Sequence, residues 1–386
     1  MRTIIVALSA VVLAGMAQGQ VVKIATCSPL SGAQGSLGEM LKLGAQIAVE
    51  ESQASFAKGG FKLELSPQDD QASPDVGVAV AKRLVNDPEV LGIVGHFNSG
   101  VAIPSSEVYK DYSLVMVSPA NTNPKVTERR YPNVNRVCGR DDVQGPVGAE
   151  FALKELKAKT IFVVNDKTAY GQGVAEAFRD KARELGANIA GFVGTEEKSN
   201  FQTLILQMKV HKPDMVYFGG IYDQGGLLIK QMREKEIAAA FMGPDGLDSS
   251  EFTRIAQAAA KGAYYTTVAG PIAEFPAAAE FAKGFEAKFK RKPESFALYA
   301  YDAAKVIVEA LKKAIEENGG KTPAREALCK AVRQVSYTGI TGLIEFDDKG
   351  DRKKASYYVI HLKDGTFPGT AVKVISAAPP ASAPSK

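Results

Sequence analysis

Short runs of β-branched and apolar residues alternate with helical stretches of ten residues or more along almost the whole chain. That rhythm restricts the fold to a small set. Residues 21–27, 61–65, 90–94 and 114–117 read as strands. Between the first two lies a helix in which Leu37, Met40, Leu41, Gly44 and Ala48 share one face at three- and four-residue steps. Further helices are predicted over 74–86, where Pro74 opens the first turn, and over 99–109. A second series starts near Gln144, with strands at 161–164, 189–193 and 215–218 set among helices at 144–156, 170–185, 200–210 and 224–236. Strands joined through helices of this length form βαβ units and parallel sheets covered on both faces.

The pattern weakens after Gly262. A strand runs into a Pro/Gly break, helices are predicted over 275–289 and 296–318, and a shorter helix ends near Gln334. The stretch 341–365 reads as a β-hairpin turning at Asp348-Lys349-Gly350. Breaks near Arg140, Gly270 and Asp347 carry the chain between the two series. The predicted fold is α/β: two doubly wound parallel-sheet lobes joined by three hinge crossings. Residues 20–140 with 270–346 form lobe 1, and 141–269 with 347–374 form lobe 2. The tail 375–386, with "SAAPPASAPSK" at its core, is low in complexity and reads as disordered.

The first residues are "MRTIIVALSAVVLAGMAQGQ". A charged start, an apolar stretch too short for a membrane span and small residues before Gly19 describe a signal peptide over 1–19, and hence export to the periplasm. Three cysteines, Cys27, Cys138 and Cys329, cannot all pair with one another, and each sits among or beside apolar residues, as small buried side chains do. Thr26 before Cys27 is too bulky for lipid attachment. A net charge of +4 without a basic stripe argues against nucleic acid.

Most motifs that suggest chemistry fail on spacing. "GQGVAE" at 171–176 lacks the last small residue of a dinucleotide fingerprint and begins too far after its strand. "GGKT" at 319–322 follows a helix and lacks the upstream glycine of a phosphate loop. Ser55-Phe56-Ala57-Lys58 lacks the companion motifs of a serine acyl-enzyme. His96, His211 and His361 have no paired metal spacing. No cofactor, metal or catalytic residue is therefore predicted.

Position is more informative. Ligands of open α/β sheets bind beyond the carboxyl ends of the strands. Ser99, Ala120 and Thr122 lie there in the first series, and Tyr170 and Asp245 in the second. Taken singly, Ser99 reads as a helix N-cap. Taken together, two hydroxyls at strand-to-helix junctions suit an anion, because free N–H groups and the helix dipole meet there. A carboxylate and a tyrosine from the other series suit an ammonium, so a zwitterion fits between.

"KIATCSPLSGAQGSLGEMLKLGAQIAVEE", "DDQASPD", "VGHFNSG", "SPANT", "GRDDVQG", "AYGQGVAEAF", "YFGG" and "FMGPDG" follow one another in this order. The series resembles the periplasmic leucine/isoleucine/valine-binding proteins, the substrate receptors of branched-chain amino-acid ABC transporters, over residues 21–373. The resemblance implies a type I periplasmic binding protein that works with a membrane permease. It implies that Ser99 and Thr122 bind the ligand carboxylate, and that the Ala120 carbonyl and Thr122 hydroxyl meet the ammonium. Asp245, where relatives commonly have Glu, would pair with that ammonium, and Tyr170 would close over the ligand. Phe97 and Phe296 would line the side-chain pocket, with Asn98 and Tyr222 beside it. Leu37 stands where some relatives have tyrosine, and Ile221-Tyr222 replaces a Tyr-first pair, which leaves open the one that faces the cleft. Ala72 and Asn98 stand where some members place a disulfide. The same fold also serves extracellular sensors and receptors for amides, γ-aminobutyrate or aromatic acids. An enzyme is a weaker third reading, since no nucleophile has a visible base.

Overall fold

A computed structural model describes residues 19–380. The predicted signal peptide up to residue 18 and the last six residues lie outside the described part. The first half runs β1 (Gln20–Ser28), α1 (Gly35–Lys58), β2 (Phe61–Asp69), α2 (Pro74–Val85), β3 (Val90–Gly95), α3 (Ser99–Asp111), β4 (Val115–Ser118) and β5 (Val134–Arg136). These strands form one parallel sheet in the order β2-β1-β3-β4-β5. Alternate residues on a strand point to opposite faces, and here both faces are covered. Leu114 and Met116 pack with Val80, Leu84 and Tyr109 on the side of α2 and α3, whereas Val115 and Val117 join Leu41 and Ile307 in the opposite core.

The second half follows with α4 (Asp141–Lys154), β6 (Thr160–Asn165), α5 (Ala169–Glu184), β7 (Asn188–Gly194), α6 (Gln202–His211), β8 (Met215–Gly219), α7 (Tyr222–Glu234), β9 (Ala240–Gly243), α8 (Ser250–Ala256) and β10 (Ala263–Thr267). The chain then returns to the first lobe with α9 (Ala278–Phe289), α10 (Ser295–Glu317) and α11 (Arg325–Arg333). It continues through β11 (Ser336–Gly339), β12 (Gly342–Glu345), β13 (Ala355–Leu362) and β14 (Thr370–Ala377). The second sheet has the order β14-β13-β10-β9-β8-β6-β7, in which β13 runs antiparallel to both its neighbours, β10 and β14, and the remaining pairs are parallel. The two doubly wound lobes and three crossings read from the sequence are thus present.

Some elements differ from the sequence reading. The turn at 348–350 exists, closed by a bridge between Phe346 and Arg352, but the strands around it do not form one hairpin. β12 turns back onto β11, while β13 enters the second sheet between β10 and β14. Alternating residues fix a strand but not its partner. Residues 375–377, assigned to the tail, end β14 and pair with β13, Ile375 opposite Tyr357 and Ala377 opposite Ala355. The alternation of "TAVKVISA" suits an edge strand. Cys27, Cys138 and Cys329 are all free and buried. No helix among the described residues is long and apolar enough to cross a membrane.

The crossings carry buried charge. Arg136 Nε lies 2.6 Å from Asp351 Oδ1, and Arg140 Nη1 lies 2.6 Å from Asp351 Oδ2. Burial alone would raise the Asp351 pKa, but the two guanidiniums outweigh it and hold the carboxyl down at about 2.

Candidate functional site

In each sheet the strand order reverses between two parallel neighbours, β1 and β3 in one, β6 and β8 in the other. Loops leaving the carboxyl ends of these strands diverge and leave a crevice. In the first lobe, His96 fixes the loop after β3. Its Nδ1 lies 2.7 Å from Asp70 Oδ2 and its Nε2 lies 3.1 Å from the Tyr109 hydroxyl, all of them buried. Asn98 takes the N-cap position of α3 without a side-chain cap, and Ser99 is the first helical residue. Ser99 is therefore not the N-cap its place in the sequence suggests. Its hydroxyl accepts the Asn123 N–H at 3.4 Å and so ties α3 to the loop after β4.

That second loop, residues 119–123, can be accounted for group by group. Ser118 Oγ accepts the N–H groups of Ala120 and Asn121 at 3.3 and 2.9 Å. The Asn121 and Asn123 carbonyls both accept from Arg136, and the Thr122 carbonyl accepts the Asp141 N–H at 2.9 Å. The Thr122 hydroxyl is buried beside the Asp141 carboxyl and favours its ionised form. The Ala120 carbonyl and Thr122 N–H make no hydrogen bond among the described residues. A buried polar group without a partner is rare enough to require an explanation.

The second lobe brings Tyr170 and Asp245 together. Thr168 caps α5 by accepting the Gly171 N–H, which sets Tyr170 in the first turn. A Cβ on Gly171 would fall 2.5 Å from the Gly219 carbonyl, and one on Gly246 would fall 2.4 Å from the Gly220 carbonyl. Only glycine permits these close approaches. The Tyr170 hydroxyl then donates to Asp245 Oδ1 at 2.7 Å and accepts the Gly246 N–H at 2.7 Å. Gln144 on α4 reaches the same carboxylate. Its Nε2 donates to Asp245 Oδ1 at 2.8 Å and its Oε1 accepts the Asp245 N–H at 2.9 Å. One turn earlier, Asp141 is 1% exposed, and its Oδ1 accepts from Gln144 Nε2 at 3.2 Å. Neither Asp141 nor Asp245 has an ion-pair partner among the described residues. Burial lifts the Asp245 carboxyl to about 6, although the bonds from Tyr170 and Gln144 oppose it. Burial, and next the charge of Asp245, raise Asp141 well above the usual carboxylate range.

Phe97, Asn98, Ala120, Tyr170, Ile221, Asp245 and Gly246 enclose a space of about 10 Å³, no larger than a single water needs. Ser99, Thr122 and Phe296 do not line this space; Ser99 holds the adjoining loop through Asn123, and Phe296 packs edge-on against Phe97 at 5.8 Å between ring centres. Tyr222 is not with this group. Ile221 faces the inner space, whereas Tyr222 lines an outer cleft of about 570 Å³ and donates across the lobes to the Ala33 carbonyl at 2.7 Å. Other bonds between lobes run from Asn123 Nδ2 to the Ala169 carbonyl at 2.6 Å and from Ser250 Oγ to Glu294 Oε1 at 2.5 Å.

Whether Ile221 or Tyr222 faces the cleft was left open by the sequence reading, and Asp141, Gln144 and Arg136 were not singled out by it. A signal was present for two of them. Asp141 and Gln144, spaced i and i+3, fall on the face of α4 that also carries the buried Gly145 and Gly148. Polar residues on the packed face of a helix require partners.

The site offers hydrogen-bonding groups from two lobes to a small polar molecule, without a nucleophile placed beside a base. The fold and site are those of a two-lobed solute-binding protein. A family model described as "Periplasmic binding protein" matches residues 21–366, and the chain belongs to that family, with the type I fold. It is 36% identical over 350 residues to an "Amino acid binding protein" of Pseudomonas aeruginosa, covering 89% of this chain and 90% of that one. The crystal structure of the leucine-binding protein LivK from Thermotoga maritima superposes with a TM-score of 0.81 at 29% identity, covering 92% of this chain and 98% of that chain. A solute-binding protein of an ABC transporter from R. palustris, in complex with benzoate, superposes with a TM-score of 0.82 at 20% identity, covering 93% and 98%, a likeness of fold alone.

Proposed function

We propose that the chain is the exported substrate receptor of an ABC importer, and that it captures a branched-chain or related small amino acid by closure of the two lobes in the periplasm. The observation that supports the ligand class most is the pair of buried carboxylates, Asp141 and Asp245, neither of which is in an ion pair among the described residues. An ammonium supplies positive charge beside them, and the Ala120 carbonyl, which takes no hydrogen bond among the described residues, stands ready as a further acceptor. The first-turn N–H groups of α3 and the Ser99 hydroxyl suit the ligand carboxylate. Phe97, Ile221 and Phe296 leave an apolar end for the side chain. The space enclosed by the lobes is too small for any amino acid, so the ligand enters by their separation. Membrane delivery would follow through a permease partner.

An aromatic acid lacking an ammonium would add a negative charge beside Asp141 and Asp245, which disfavours it. A buried methylene is worth about 0.8 kcal/mol, so leucine, isoleucine and valine differ only a few-fold in affinity. Calorimetry with these three, alanine, γ-aminobutyrate and benzoate tests the reading. Binding of benzoate but of no amino acid overturns it.

A further inference from the structure

Arg136 is fully buried at the end of β5, and its guanidinium is shared between two distant segments. Nη1 donates to the carbonyls of Asn121 and Asn123, at 2.6 and 3.0 Å, on either side of Thr122. Nε donates to Asp351 Oδ1 at 2.6 Å, and Nη2 bonds the Thr127 hydroxyl, which itself donates to Asp351 at 2.8 Å. Asp351 lies in the third crossing between lobes. Its other oxygen takes a bond from Arg140 in the first crossing, and the Gly350 carbonyl beside it accepts the Arg136 N–H at 2.9 Å. One carboxylate thus ties two hinge segments to the guanidinium that holds the 121–122 and 123–124 peptide planes on either side of Thr122.

We propose that Asp351 and Arg136 are positioning residues, through which the hinge holds the 120–123 loop in the shape that presents the Ala120 carbonyl and the Thr122 N–H and hydroxyl to the ligand. The role of these groups as ligand contacts rests on the function proposed above. The held geometry of the loop does not. With the Arg136 fork released, the Asn121 and Asn123 carbonyls turn to other donors and the Thr122 groups turn with them. Lysine, a single point charge, cannot replace a planar fork that satisfies several acceptors at once.

The test uses Asp351→Asn in the full mature chain, with Arg136→Lys as the second variant should the first fail to fold. Amide hydrogen exchange is read first, without ligand. At the Asn121 and Asn123 amides it accelerates about tenfold or more, while the β1 and β3 amides keep their rates. Unchanged exchange over 120–123 in a folded variant overturns the proposal, as does acceleration spread evenly over the lobe. L-leucine affinity is read second, in a double-mutant cycle with Thr122→Ala. Effects that act through one loop are non-additive by about threefold or more, whereas the cycle with Asp245→Asn, in the other lobe, is additive. Additive effects with Thr122→Ala overturn the positioning role. If the wild type binds no amino acid, the proposed function fails, and the exchange result still decides the loop.

Discussion

The Tyr170 hydroxyl donates to Asp245 Oδ1 at 2.7 Å and accepts the Gly246 N–H, so one phenol fixes both the side chain and the backbone of the loop after β9. Burial raises the Tyr170 pKa well above its ordinary value, with the Asp245 charge adding to it, so the phenol remains a donor at every physiological pH. Tyr170 and Gln144 together hold Asp245 before any ligand arrives.

Replacement of Asp245 by alanine removes the acceptor proposed for the ammonium. Loss of one partner of a buried charged pair costs about 2–5 kcal/mol, so leucine affinity falls by well over tenfold. Calorimetry at pH 7.5 measures this, and an unchanged dissociation constant would remove Asp245 from the site.

Affinity depends on pH through the same carboxylate. Its pKa is raised in the folded protein to about 6, and an ammonium favours the ionised form. Below that value binding must expel a proton, so affinity for an amino acid falls as pH drops from 7 to 5, by up to about tenfold per unit. For stability the sign is reversed. A carboxylate with a raised pKa costs the folded state free energy once ionised, and protonation on acidification removes that cost. Asp248, raised by burial to about 7, acts in the same sense. Thermal melting without ligand therefore improves, or falls less than solvent-exposed carboxylates dictate, between pH 8 and 5.

Asp351 behaves oppositely. Its pKa is lowered to about 2, so its contribution is complete above the unfolded value near 4 and is lost as pH falls through 2. Linkage puts that contribution at about 2–3 kcal/mol. Asp351→Asn removes it, and denaturant titrations at pH 7 and pH 2.5 should show a difference between variant and wild type that narrows at the lower pH.

Gln144→Leu leaves the Asp245 N–H without its acceptor and Oδ1 without one of its donors. Each buried group stranded in this way costs about 1–3 kcal/mol. Urea unfolding is expected to show a loss in that range, with leucine affinity weakened as Asp245 loses its orientation.

Tyr222→Phe deletes the bond to the Ala33 carbonyl across the cleft and leaves the ring in place. A net hydrogen bond is worth about 1 kcal/mol, so the closed form loses roughly fivefold in population. Small-angle scattering at subsaturating leucine would report a larger mean radius than for the wild type, and an identical profile would deny Tyr222 a part in closure.

Periodicity, turn chemistry and charge determined a large share of this protein. Alternation of short strands with long helices is sufficient to require parallel sheets, because no other arrangement covers strands apolar on both faces. The ends of those strands mark the crevice, which is why Ala120, Tyr170 and Asp245, picked out by position, meet around one space; the roles the ordered motifs imply for them, and for Ser99 and Thr122, remain proposals. Strand partners and side-chain direction were not legible, since both depend on residues far away in sequence. β13 pairs with β10 because the third crossing delivers it there, nearly a hundred residues downstream. Ile221 rather than Tyr222 faces the inner space because of the phase in which α7 leaves β8. Arg136 reads as one more surface cation until the fold sets Asp351, 215 positions later, against it. Local sequence fixes the elements through backbone and hydrophobic periodicity, whereas the pairing of buried charges and the shape of the cleft come from contacts that exist only once both lobes are built.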